Sequence, residues 1–117
     1  MTEIMLIRHG ETEWNRTGRF QGHSDIPLTE NGILQAQALS RNLIMDHVDK
    51  IYASDLVRAM ETARPLANRF GLDVEPDPAL RELHFGAWEG RYFRDINAEY
   101  PDIMKRFYRD PENVKIP

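Results

Sequence analysis

The first apolar run of the chain, EIMLI over residues 3–7, is short, uninterrupted and followed at once by charge. Such a run predicts a strand buried on both faces, the kind found in a parallel sheet covered by helices. A long polar loop follows. From Thr29 onward the period changes, and Ile33, Ala36, Leu39, Leu43 and Ile44 recur at helical spacing. That spacing predicts a helix from about Thr29 to Met45, with Thr29 as its cap. DKIYAS (49–54) reads as a second strand. DLVRAMETARPLANRFG (55–71) reads as a helix with Asp55 or Ser54 near its start and Gly71 closing it. LDVEP (72–76) is a third extended piece. It leads into the irregular DPALRELHFGAWEG (77–90), whose Leu83, Phe85 and Trp88 are expected to fold back on the core. DINAEYPDIMKRFYRD (95–110) is helical and broken or restarted near Pro101. Strand, helix, strand, helix is the alternation of an α/β fold.

Length and charge narrow the function. A chain of 117 residues fits one domain with one core. Its 15 basic and 19 acidic residues give a formal charge of −4, which offers no bulk attraction to nucleic acid or to an anionic membrane. An anionic ligand therefore needs locally gathered arginines. The absence of cysteine excludes disulfides, thiolate metal sites and cysteine nucleophiles, and fits a reducing compartment, so the cytoplasm is the expected location. The N-terminal apolar run is too short for a secretory signal or a membrane span.

In a doubly wound sheet, ligands settle outside the carboxyl ends of the strands. The first strand end releases Arg8, His9, Gly10, Glu11 and Thr12; the second releases Ser54 and Asp55, with Arg58 on the first turn of the next helix. Neighbouring parallel strands would bring Arg8 and Arg58 to one rim, and two guanidiniums with paired N–H donors suit a phosphate. His9 between them can be a nucleophile at phosphorus if one ring nitrogen faces the ligand and the other is held protonated, commonly by a backbone carbonyl. Gly10 leaves room for that carbonyl. Hydrolysis of a phosphate ester also needs a proton for the departing oxygen. Glu82, flanked by apolar side chains in LRELHFG, is the leading donor, ahead of Glu11 and Glu89. Asn15, Arg16, Gln21 and Ser24 in the polar loop could bond the substrate; equally, Asn15 could be a turn residue, and Gln21 and Ser24 could only pin the loop. His9, Glu11, His23 and Asp25 offer metal-type donors, but Arg8 opposes a cation, and neither a metal nor a cofactor is expected.

LIRHGETEWN (6–15) resembles the signature of the histidine phosphatase superfamily, the phosphoglycerate mutase-like proteins. The similarity continues through RFQGHSDIPLTENGILQAQAL, IYASDLVRAMETA and LRELHFGAWEG, four blocks in the same order. The resemblance covers nearly the whole chain. It implies a three-layer α/β/α fold with a mainly parallel sheet and a phosphohistidine intermediate on His9. It further implies phosphate binding by Arg8 and Arg58 with help from Asn15, and Glu82 as proton donor. FGAWEG is more similar to the phosphatase branch, α-ribazole phosphatases included, than to the mutases. The expected function is hydrolysis of a small phosphorylated metabolite, with α-ribazole 5′-phosphate a candidate. The alternatives are mutase-type transfer and an inactive phosphate-binding fragment. Neither nucleic acid nor membrane is expected as a partner.

The family also carries a second pocket histidine in an SHG-like turn further along, and His23, His47 and His84 stand in other contexts. The resemblance thus implies that residues 1–117 are the N-terminal portion of a single histidine phosphatase domain, incomplete at its C-terminal side. A sheet deprived of a neighbouring strand exposes an edge, which predicts self-association.

Overall fold

The computed structural model describes residues 1–117. Its regular elements follow local chemistry. Thr12 caps α1 (Glu13–Thr17) through a reciprocal pair of bonds with Asn15, and Gly18, at φ 76°, ends it in the left-handed conformation that glycine adopts freely. Thr29 caps α2 (Glu30–Asn42), its side chain accepting from the Gly32 N–H. β1 (Ile51–Ala53) runs into α3 (Val57–Phe70), which Gly71 closes at φ 64°, and β2 (Val74–Pro76) returns parallel to β1 with Ile51 opposite Val74. Two short helices complete the chain, α4 (Phe93–Glu99) and α5 (Pro101–Arg109), with Pro101 in the first turn of α5, where a missing N–H is tolerated. The βαβ unit and its parallel pair make this an α/β fold, as the alternation of apolar patterns predicts. No helix is long and apolar enough to cross a membrane.

Three expectations fail locally. Residues 3–7 form no strand: residues 1–8 make no backbone hydrogen bond, and Ile4 and Leu6 are 81 % and 91 % exposed. A strand exists only through its ladder, and here β1 and β2 pair with each other and with nothing else. Ser54 and Asp55 stand just ahead of α3, as expected, without capping it. Its N-cap is Leu56, which bonds nothing through its side chain, and the Val57 N–H is taken instead by Asp25 Oδ1 at 2.7 Å from the distant polar loop. Asp55 is occupied by Arg81, which bonds both its oxygens at 2.5 Å. Leu83 is exposed while Phe85 and Trp88 are buried, and Ile44 lies beyond the end of α2 in solvent.

The core is split in two. Phe20, Phe85, Trp88, Ile96 and Met104 form one cluster under α4 and α5, with Trp88 and Ile96 fully buried. Ile51, Leu66 and Ala67 form the other, between the sheet and α3, with Leu43, Val48 and Val74 packed against them. The polar loop from Gly10 to Leu28 lies across both α2 and α3 through the bonds described next.

Candidate functional site

His9 and Gly10 are fastened at three points. Gly10 packs against the first turn of α2 so closely that a Cβ on it would meet the Gly32 carbonyl oxygen at 2.6 Å. Its N–H donates to Thr62 Oγ1 on α3 at 3.0 Å, and the Thr62 hydroxyl donates in turn to the Arg58 carbonyl at 2.7 Å. One residue on, the Glu11 N–H donates to Gln35 Oε1 and its carbonyl accepts from the Thr29 N–H, both at 2.9 Å. His9 is thus held at the junction of α2 and α3 although residues 1–8 before it make no backbone hydrogen bond.

The imidazole is half-buried, and its Nδ1 lies 2.7 Å from the Gly10 carbonyl oxygen. A carbonyl can only accept, so in the neutral ring Nδ1 carries the hydrogen and Nε2 the lone pair. Arg8, His9, Gly10, Glu11, Asn15, Arg16 and Gln35 line a hollow of about 300 Å³ with no apolar side chain in its wall. An adjoining hollow of about 220 Å³ runs from Arg8–Gly10 over Ala36, Leu39 and Thr62. Asn15 Oδ1 accepts from the Thr12 N–H at 3.1 Å, which orients the amide and leaves its Nδ2 hydrogens free to donate. Both readings of Asn15, turn residue and ligand donor, are therefore compatible in one side chain. Arg16 also borders the hollow, paired with Glu13.

Arg58 does not line this hollow. Its guanidinium, with the side chain only 3 % exposed, donates from Nη1 to the Ser24 carbonyl and from Nη2 to the Gly22 carbonyl, each at 2.6 Å, and Nη2 lies 3.4 Å from Glu82 Oε2. The expectation that Arg8 and Arg58 share one rim is not met at this hollow: the Gly22 and Ser24 carbonyls hold the Arg58 head in the 22–24 turn, and Thr62 ties only the Arg58 backbone carbonyl to the Gly10 N–H. The Arg58 Nε–H and one Nη1 hydrogen keep no partner within the protein. Glu82 lies beside Arg58, but it lacks the apolar enclosure its sequence context suggests, its side chain being 46 % exposed. Gln21 is buried and accepts from the Thr12 hydroxyl at 2.6 Å; Ser24 donates to Glu89 Oε1 at 2.6 Å. Both pin the loop. His23 and His84 stack on each other, centroids 4.6 Å apart, beside Glu82 and Glu89.

Sequence reasoning missed Thr62, Gln35 and Gly32. A threonine one turn after an arginine on the same helix face, and a glycine in the first turn of a helix, were the available signals; neither identifies its distant partner.

Burial alone would raise the Glu89 carboxyl. The Ser24 hydroxyl and the His23 and Phe85 N–H groups outweigh it and, with His84 nearby, hold the carboxyl below the ordinary glutamate value of 4.5. Asp55, bonded by Arg81, is lowered as well. A group with a depressed folded value stabilises the fold fully above its unfolded value, and this contribution is lost as pH falls through the folded one. The melting temperature is therefore expected to decline as pH drops below about 5. Glu89→Gln should flatten that decline in thermal melts carried from neutral pH downwards.

A family model described as "Histidine phosphatase superfamily (branch 1)" matches residues 4–117. The "Probable phosphoglycerate mutase GpmB" of Yersinia pestis is 39 % identical over 117 residues, covering 100 % of this chain and 54 % of the relative. Among solved structures, the mycobacterial glucosyl-3-phosphoglycerate phosphatase in complex with VO3 is 38 % identical with a TM-score of 0.84, covering 91 % of this chain and 53 % of that one. The alpha-ribazole phosphatase from Shigella flexneri is 40 % identical with a TM-score of 0.78, covering 95 % and 55 %. The chain spans about half the length of the curated relatives it matches. With the ordered motifs, the α/β fold with its parallel sheet and a match over nearly every residue in agreement, the chain belongs to the histidine phosphatase superfamily, with the phosphoglycerate mutase-like fold.

Proposed function

We propose that this chain carries the nucleophile half of a phosphomonoesterase that hydrolyses a small phosphate ester through a phosphohistidine on His9. The observation that carries this reading is the 2.7 Å contact between His9 Nδ1 and the Gly10 carbonyl, which leaves the lone pair on Nε2 of a ring that lines a wholly polar hollow together with Arg8. Nε2 attacks phosphorus in line, the bond to the ester oxygen breaks, and the departing oxygen takes a proton from Glu82. Water then attacks the phosphohistidine and gives its proton to Glu82, releasing phosphate and restoring the imidazole. Arg8 and the Asn15 amide, on the wall of the hollow, offset the phosphoryl charge, and Arg58, held outside that wall by the 22–24 turn, would add to them through the donors that turn leaves unused.

A relative in complex with VO3, an oxide of vanadium with the same number of oxygens as a transferring PO3 group, supports the phosphate site. The α-ribazole phosphatase similarity supports hydrolysis and keeps α-ribazole 5′-phosphate as a candidate substrate. The mutase-named relative supports the second reading, return of the phosphoryl group to a bound sugar acid. Incubation with a ³²P-labelled phosphate ester, followed by alkaline quenching, is expected to leave label on the peptide containing His9 that acid removes. Release of inorganic phosphate then marks water as the acceptor. A chain that turns over ester without ever carrying that label defeats the proposal.

A further inference from the structure

The carboxylate of Glu89 is built into the site without touching the hollow. It receives three donors: Ser24 Oγ on Oε1 at 2.6 Å, and the His23 and Phe85 N–H groups on Oε2, both at 3.1 Å. Its side chain is 13 % exposed. Two of those donors belong to the turn whose Gly22 and Ser24 carbonyls hold the Arg58 guanidinium. The third, Phe85, follows the Glu82 segment and anchors it to the aromatic core. Gly22 sits at φ +56°, and a Cβ there would meet Glu89 Oε2 at 2.5 Å and the Leu83 carbonyl at 2.8 Å, so the turn is wrapped directly on the carboxylate.

We propose that Glu89 is a positioning residue, an anionic pin that fixes the 22–24 turn and through its carbonyls sets the orientation of Arg58 toward the phosphoryl group. A proton-donor role is thereby reassigned: a carboxylate that accepts three hydrogen bonds is stabilised as the anion and is a poor acid. The two carbonyl bonds to Arg58 alone do not define its orientation, because the turn bearing them is free to shift once its own N–H and hydroxyl groups lose their acceptor. This inference rests on the phosphate-binding reading of Arg58 for its functional consequence, but not for its structural one.

The test separates the two. In ¹⁵N-arginine-labelled chain at low temperature, the Arg58 guanidinium is expected to show separate Nη–H signals, since bonds to fixed carbonyls slow rotation about Cζ–Nη. Glu89→Ala should merge or erase those signals while the far-UV circular dichroism is kept. Glu89→Gln should retain them, its amide oxygen accepting from the two N–H groups and its NH₂ donating to Ser24. If Glu89→Ala fails to fold, Glu89→Asp, too short to reach all three donors, takes its place with the same expected loss. Arg58 signals unchanged in a folded Ala or Asp variant, or lost equally in Gln, overturn the proposal. In parallel, the affinity for inorganic phosphate is expected to weaken about ten-fold in the Ala or Asp variant and to recover in Gln. Signals lost with affinity unchanged would keep the pin and refute its link to phosphate; a parent chain that binds no phosphate would count against the proposed function alone.

Discussion

A His9→Ala chain is expected to lose phosphate-ester turnover by about 10⁴- to 10⁶-fold, the loss that removing a covalent nucleophile produces, and to keep its melting temperature. The two outcomes belong together because of how His9 is held. Its ring is half-buried and its one hydrogen bond goes to the carbonyl of the next residue, so no distant element depends on the imidazole. The junction is kept by backbone instead: the Gly10 N–H on Thr62, the Glu11 N–H on Gln35 and the Glu11 carbonyl under Thr29. Truncation at position 9 therefore removes chemistry and leaves architecture. Arg58→Ala would not separate the two, since it strips the Gly22 and Ser24 carbonyls of a buried partner. The measurement is kcat on a chromogenic phosphate ester beside a thermal melt, with free imidazole added to the variant. Partial rescue by imidazole would show that the vacated space lies beside the reacting phosphorus. A folded His9→Ala chain that hydrolyses as fast as its parent would remove His9 from the reaction.

How much of this was legible in the sequence depended on whether the signal was local. The helices around Thr29–Asn42 and Val57–Phe70 announce themselves through apolar spacing, a capping threonine and a closing Gly71, all of which act within one or two turns of chain. The strand reading of residues 3–7 failed because a strand is a property of neighbours: four apolar residues state a wish for a ladder that no other segment supplies here. The same distinction divides the site. Arg8, His9, Gly10 and Asn15 come together because they are close in sequence. The role of Arg58 depends on carbonyls 34 and 36 residues away, and a backbone carbonyl has no residue type to read. That Glu82 stands beside Arg58 was stated by no sequence signal, and its burial was inferred from apolar sequence neighbours such as Leu83 that point into solvent. Ser24 and Gln21 were visible as polar residues in a polar loop, but which of two functions they serve was fixed only by Glu89 and Thr12.

Gly32→Ala is expected to destabilise the fold by at least about 1–3 kcal/mol, the usual range for overpacking, although the ordinary rule gives the opposite sign. Glycine inside a helix is about 1 kcal/mol less favourable than alanine, and Gly32, three residues past the Thr29 cap, invites that improvement. Space decides otherwise. An added Cβ would lie 2.2 Å from the Glu11 carbonyl oxygen, 2.9 Å from its nitrogen and 3.0 Å from its carbonyl carbon, all backbone atoms that cannot swing aside as a side chain can. Relief requires the 9–11 segment to lift off α2, which strains the Glu11–Gln35, Glu11–Thr29 and Gly10–Thr62 bonds at once. Gly10, Glu11 and Gln35 wall the hollow beside His9, so its dimensions should change before the helix itself unfolds. The neighbouring Asn31→Ala, exposed on the same turn, supplies the contrast: it should shift stability by no more than about 0.5 kcal/mol. Urea unfolding of the two variants, with phosphate affinity measured alongside, reads both effects. Equal stability in the two chains would mean that the contact between Gly10–Glu11 and the first turn of α2 is not what holds His9 in place.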